Sequence, residues 1–298
     1  MVKKYTLKEC IELYKKSGKR NAEYLFNWLR NIYDFCYLPC IDEKYKDILA
    51  DDKTKLTIVD VLIDDLADNY KLRNEKLLEE SIKIPFSSQK NITDNYLKII
   101  QKIWVDCFRS IKQYPAYKKF KTLFFFDLTQ TLNSMRYSYL LNKIKIGNSL
   151  ENKMHLPHGV MVLLHSDMDL MCSSKFNENE LKYLRPFLYL AQEISHIGNL
   201  LNTYPREIIE KDFSSPIIFL GLEKGIITRK EIFSNPPEKL IHKLKPLEKY
   251  FVMGVKNNLK KMKGYGKYIH SFEVDVFLKK LEKVFEAFLK RKQYWKSS

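Results

Sequence analysis

Glycine and proline are scarce in this 298-residue chain, which has 9 Gly and 10 Pro. No Gly/Ser-rich linker divides it, which favours one all-α domain over residues 1–298. Cysteine is also sparse: Cys10, Cys36, Cys40, Cys107 and Cys172 are scattered and odd in number. That excludes a disulfide framework and fits reduced thiols in the cytoplasm. No apolar run reaches the roughly 18 residues of a membrane span; the run from Leu123 to Phe126 ends at Asp127. The first ten residues lack the apolar core of a signal peptide. A cytoplasmic protein without stable membrane insertion is expected. Neither GxxxxGK[ST] nor GxGxxG occurs, which removes the common nucleotide motifs. The six histidines form no HExxH, and no further Cys or His pair supports Cys36 and Cys40 as a zinc site.

What is present is apolar, aromatic and basic. Hydrophobic residues make up 45% of the chain and aromatics 13%, enough for a large core. The formal charge of +16 would attract a polyanion. The lysines, however, are spread along the chain, with no basic arm and no basic loop interleaved with aromatics. Nucleic acid is therefore not the expected partner, and the charge suits a small, highly anionic substrate.

Apolar residues recur at helical spacing almost throughout. The spacing predicts helices over about 7–16, 21–38, 57–70, 94–112, 117–144, 178–201, 217–222, 237–263 and 273–294. A break runs from Gly147 to Gly159, and a helix resumes near Val160, where a short strand is the alternative. About eleven helical segments are expected in all.

Two stretches carry chemistry. In the first, Asp60, Asp64 and Asp68 recur one turn apart on a helix rich in Val, Leu and Ile, with Asp65 beside them. Stacked like charges weaken an isolated helix, so the cluster suggests a bound hard cation, Mg2+ above all. On this stretch alone, a solvated acidic helix end is equally open. In the second, Asn199, Thr203 and Glu207 recur at every fourth position, so an amide, a hydroxyl and a carboxylate form one stripe. Arg206 stands beside the last of them and suits bidentate contact with phosphate. A polar helix end is the alternative here, and Pro205 is expected to kink the stripe.

Together the two stretches resemble those of bacterial-type class I terpene synthases. Asp64-Asp65-Leu66-Ala67-Asp68 is similar to that family's aspartate-rich DDxxD motif, and Asn199/Thr203/Glu207 to its NxxxS/TxxxE motif. The following Glu210-Lys211-Asp212-Phe213-Ser214-Ser215 also resembles members that act on a C20 diphosphate.

The resemblance implies a helical bundle around a central hydrophobic cavity. It also implies ionisation and cyclisation of a prenyl diphosphate, with geranylgeranyl diphosphate favoured and farnesyl diphosphate next. Three Mg2+ ions are implied, with Mn2+ as a substitute. Asp64 and Asp68 would hold two of them, with Asp65 beside them in the metal set or supporting the helix, and Asn199, Thr203 and Glu207 would hold the third. Arg206 would contact the diphosphate. The family's arginine sensor and the Asp-Gly pair after it map to His155, His158 and Gly159, so only Gly159 keeps the pattern, as the helix-break effector. Arg136 is the substitute sensor, and Arg291 with Tyr294 stands for a late Arg-Tyr pair, with Lys267-Tyr268 second. A homodimer through a helical face is the implied assembly. Phe26, Trp28, Trp104, Phe126, Tyr137 and Tyr204 are candidate cavity aromatics, and Gln192 and Ser195 share the Asn199 face. Two other readings stand: a chain-elongating prenyl diphosphate synthase of the same fold, and a non-enzymatic basic helical protein that binds nucleic acid.

Overall fold

The computed structural model describes residues 4–33, 35–87 and 91–290. Among these, fourteen α-helices and several short 3₁₀ turns account for the regular structure, and there is no strand. The first five helices are α1 (Leu7–Lys15), α2 (Ala22–Tyr33), α3 (Lys46–Asp65), α4 (Glu75–Lys83) and α5 (Asn95–Ile111). Then come α6 (Tyr117–Ile144), α7 (Ser149–His155), α8 (Val162–Met171), α9 (Leu181–Ile209) and α10 (Pro216–Glu223). The chain closes with α11 (Arg229–Ser234), α12 (Pro237–Leu244), α13 (Glu248–Gly266) and α14 (Val274–Lys290).

Local chemistry sets many of the boundaries. Thr6 and Glu9 form a reciprocal capping box at the start of α1, and Asp94 caps α5 through the Tyr96 and Leu97 amides. At the far end of α6, Lys145 adopts a left-handed conformation that stops the helix. α9 is the spine, packing against α8, α13 and α14, while α3 packs against α2 and α5.

Helix α3 begins well before the expected Thr57. Its first half, Lys46 to Leu56, is rich in charge and reads as surface, yet Asp52, Lys53 and Lys55 are buried. Each has a partner: Lys53 Nζ lies 2.6 Å from Asp169 Oδ1, and Lys55 Nζ 2.8 Å from Asp106 Oδ2. The Tyr114 hydroxyl donates to Asp52 Oδ2 at 2.7 Å. Buried charges are tolerated when paired in this way, and the pairing hides the helix from a hydrophobic pattern.

Other expectations shift too. The helix from residue 21 ends at Tyr33, not Leu38. The helix expected to resume near Val160 is present as α8, and the strand alternative falls away. The final turns of α13 include Gly264 and reach Gly266. α9 continues past the expected end at Leu201, through Pro205 to Ile209, so the whole Asn199/Thr203/Glu207 stripe lies on one helix. All five cysteines are free thiols. Among the described residues, no helix is long and apolar enough to cross a membrane.

Candidate active site

A cavity of about 190 Å³ lies between α2, α3, α8, α9 and α14. Its apolar wall comes from Trp28, Leu29 and Ile32 of α2 and from Phe277, Leu281 and Phe288 of α14. Trp28 and Phe288 meet edge to face, with ring centroids 5.2 Å apart. Asp60 and Asp64 of α3 and Asn199, Thr203 and Arg206 of α9 line the same cavity. A polar cleft adjoins it, lined by Asp64, Asp68, Asn199, Glu207, Asp212 and Ser215. Asp64, Asn199 and Gly159 belong to both spaces, so the two predicted motifs and the helix break meet where cleft and cavity join.

The acidic set sits at the C-terminal end of α3. Asp68 lies just past the last turn, but its amide still donates to the Asp64 carbonyl at 2.9 Å, which keeps both side chains on one side. Arg20, from the turn between α1 and α2, spans the set. Its Nη2 is 3.0 Å from Asp64 Oδ2 and 3.5 Å from Asp68 Oδ2, and its Nε is 2.9 Å from Asp65 Oδ1. Tyr14 anchors that turn: its hydroxyl donates to Asp65 Oδ2 at 3.2 Å and accepts from the Arg20 amide at 3.3 Å. Gly18 is required beneath it, because a Cβ there would come within 2.1 Å of the Tyr14 ring.

Asp65 is fully buried and faces Tyr14 and Arg20, whereas Asp64 and Asp68 line the cleft. Burial pushes the Asp64 carboxyl up, partly offset by Arg20 and reinforced by Asp65 and Asp212. Burial and then Asp64 push Asp68 well above the carboxylate range, and the same two causes act on Asp60. Burial opposes the charge on Arg20, but Asp65, Asp68 and Asp64 outweigh it and hold the guanidinium protonated.

On α9, Thr203 Oγ1 donates to the Asn199 carbonyl at 2.9 Å and also contacts Glu207 Oε1. Burial, and next Asp212, push Glu207 up to about 7. Arg206 Nη1 is 2.8 Å from Glu210 Oε2. Asp212 is held by the Asn142 amide at 2.8 Å and by the Ser214 amide and hydroxyl at 2.8 and 2.7 Å. It therefore has a fixed orientation in the cleft that Asp64, Asp68 and Glu207 also line.

Among the described residues, no three His, Cys, Asp or Glu side chains already form a metal-ligand group. The donors nevertheless fit hard cations. Asp60 Oδ1 and Asp68 Oδ1 are buried without a hydrogen-bond partner among the described residues, and the carboxyls around them repel one another. Asp64, Asp68, Asn199, Thr203 and Glu207 supply only oxygen, the donor type Mg2+ takes.

The remaining expectations fall elsewhere. Arg136 lies on the outer face of α6, its guanidinium bidentate on Glu79 at 2.8 and 2.7 Å, and lines neither space. His155 packs on Tyr137 and His158 on Tyr189, and neither lines the cavity. Arg291 and Tyr294 lie outside the described residues. Tyr268 stacks on Tyr183, away from the site.

Of the candidate aromatics, only Trp28 lines the cavity. Phe26 packs on Tyr14 and Trp104 on Phe108, Phe126 is exposed, Tyr137 bonds to Asn152, and Tyr204 bonds to Glu248. Ser195 lines the cavity, while Gln192 Oε1 accepts from the Leu163 amide. Sequence reasoning missed Arg20, which carries no motif and reaches the aspartates only through the turn at Gly18. It also missed Asp212 as a member of the site, although its stretch was noted.

No protein-family model matches the chain, and no curated protein matches it in sequence. Solved structures match along nearly the whole length. The linalool/nerolidol synthase of Streptomyces clavuligerus, solved with 2-fluorogeranyl diphosphate, aligns with a TM-score of 0.59 at 9% identity. The alignment covers 97% of this chain and 99% of that one. Wild-type cucumene synthase aligns at 0.58 with 10% identity, covering 98% of each chain. A single-substitution variant of cucumene synthase gives 0.58 with 12% identity, over 96% of this chain and 95% of that one. The chain thus has the all-α class I terpene synthase fold.

Proposed function

We propose that the protein, as a single domain in the cytoplasm, ionises a prenyl diphosphate with Mg2+ and cyclises the resulting cation, releasing diphosphate. One observation carries this reading: two oxygen-donor sets, on α3 and α9, meet at the junction of a polar cleft and an apolar cavity. A diphosphate in the cleft would then place its hydrocarbon chain in the cavity.

The residues divide the work. Asp64 and Asp68 on one side, and Asn199, Thr203 and Glu207 on the other, would hold the metal ions. When bound, Mg2+ neutralises the charge that develops on the departing diphosphate. Arg206 and Arg20, which line the cavity, would supply positive charge toward the diphosphate. Trp28, Phe277 and Phe288 present ring faces and edges that exclude water and stabilise a carbocation. Geranylgeranyl diphosphate is the favoured substrate, on the likeness around Glu207 to Ser215, with farnesyl diphosphate second.

The test is incubation with Mg2+ and, separately, geranyl, farnesyl, geranylgeranyl and geranylfarnesyl diphosphates, read by gas chromatography–mass spectrometry. A cyclic product from one substrate, abolished by chelator, supports the reading. Longer linear diphosphates formed with added isopentenyl diphosphate would replace it with chain elongation.

A further inference from the structure

The end of the cavity opposite the metal-binding residues is polar. On α3 the cavity-facing residues run from Asp64 through Asp60 and Thr57 to Lys53. At 1.5 Å per residue, Lys53 lies about 16 Å along the helix from Asp64. Around it stand Asp169, His165 and Tyr33. A polar layer is unexpected at the hydrocarbon end of a cavity that must hold a carbocation.

Most of that layer is internally satisfied. Lys53 pairs with Asp169 Oδ1 at 2.6 Å, and Asp169 Oδ2 accepts from the Leu38 amide at 3.0 Å. The Tyr33 and Thr57 hydroxyls bond to each other at 2.9 Å, and Ser166 Oγ donates to the Val162 carbonyl at 2.8 Å. His165 differs. It is 6% exposed, its ring is held edge to face against Tyr33 at 4.7 Å, and its Nε2 has no hydrogen-bond partner among the described residues. An unsatisfied buried nitrogen weakens the fold, so its retention beside the cavity points to a use.

We propose that His165 is the base that ends the reaction, an inference that rests on the prenyl diphosphate reading above. A C–H bond next to the cationic carbon breaks, and its electron pair becomes the new C=C bond. The proton passes to the imidazole of His165, which lines the cavity, giving an imidazolium that returns it to water when the product leaves. Burial, and next Lys53, hold the imidazole pKa well below its usual value, so the ring is neutral before the reaction. Such a weak base still suffices, because a carbocation is a far stronger acid than an imidazolium. Tyr33 fixes the ring and Asp169 holds the charge of Lys53.

The test compares wild type with His165→Asn and His165→Phe, each checked for fold by circular dichroism. The Asn variant keeps a polar side chain of smaller size, so the comparison stands if the Phe variant fails to fold. Diphosphate release and product ratio are measured together. The expected result is diphosphate release within about threefold of wild type, since ionisation occurs at the other end. The main alkene should fall at least about tenfold relative to other isomers. An unchanged product ratio in the folded variants overturns the role of His165. A wild-type product that takes oxygen-18 from labelled water overturns it too, because water capture then ends the reaction. No diphosphate release from wild type sinks the prenyl diphosphate reading and this proposal with it.

Discussion

Arg20 and Asp65 form the innermost ion pair of the acidic end, with Nε 2.9 Å from Oδ1 and Asp65 shut off from solvent. Asp64, its neighbour, shares the same guanidinium but opens on the cleft. The two aspartates should therefore fail differently. Asp65→Ala removes the innermost of three partners of Arg20, a loss of about 2–3 kcal/mol, so the melting temperature should drop by roughly 5 °C or more. Asp64→Asn should cost at least about 100-fold in turnover while the melt stays within a few degrees of wild type. Circular dichroism melts beside initial rates check both; equal stability losses would show that the two have one role.

Removal of Arg20 tests the balance of charge. In Arg20→Gln, Asp64, Asp65 and Asp68 lose their common cation. The variant should melt lower than wild type without divalent ions and gain more from added Mg2+. A gain from Mg2+ equal to that of wild type would mean that Arg20 does not compensate the aspartates at the end of α3.

Metal binding can be read without substrate. Saturating Mg2+ at about 100 times its dissociation constant stabilises a folded protein by about 2.7 kcal/mol. Differential scanning fluorimetry should show this rise for wild type. Asn199→Ala and Glu207→Gln should blunt it, and Arg136→Ala, on the outer surface, should leave it unchanged. A rise in both α9 variants equal to wild type would remove Asn199 and Glu207 from the metal set.

Acid should destabilise the protein through its histidines. Desolvation lowers His196 from 6.5 to about 4, and His165 moves in the same direction. Between those values the unfolded chain binds a proton that the native ring refuses. The stabilising contribution is therefore complete above about pH 6.5 and is lost as pH falls toward about 4. Glu207, pushed up to about 7, and Asp60, Asp64 and Asp68, which burial also pushes up, act in the opposite sense, so the comparison is with variants. His196→Gln should flatten the slope of stability against pH in urea titrations; an unchanged slope would show that the ring titrates normally.

Gly198 controls how closely α14 approaches α9. A Cβ there would sit 3.0 Å from Phe288 Cδ2 and 3.2 Å from Phe285 Cδ2. Gly198→Ala should cost about 1–3 kcal/mol through overpacking and displace Phe288, a cavity wall. Product ratios should change with the melt. A changed melt with unchanged products would show that α14 yields without moving the wall.

The helical nature of the chain was legible because its apolar residues keep a 3.6-residue period over most of its length. The first half of α3 escaped because Lys53, Lys55 and Asp52 bury charge against partners far away in sequence, which no periodic pattern records. Asp64, Asp68, Asn199, Thr203 and Glu207 were legible as two stripes, since each stripe lies within a single helix or its last turn. That the stripes converge, and that Arg20 and Asp212 join them, depends on tertiary packing. For the same reason the cavity aromatics were mostly misplaced: Phe26 and Trp28 lie two residues apart on α2, and only Trp28 reaches the cavity.

The turn at Gly18 ties the first helical hairpin to the chemistry. Shortening this protein from its start, as is common when trimming for crystallisation or fusion, would remove Tyr14 and Arg20 before reaching any motif residue. The remaining chain would keep every recognisable signature of its fold while carrying an uncompensated acidic pocket. A functional test on such a trimmed form would report on the missing counterion, not on the motifs.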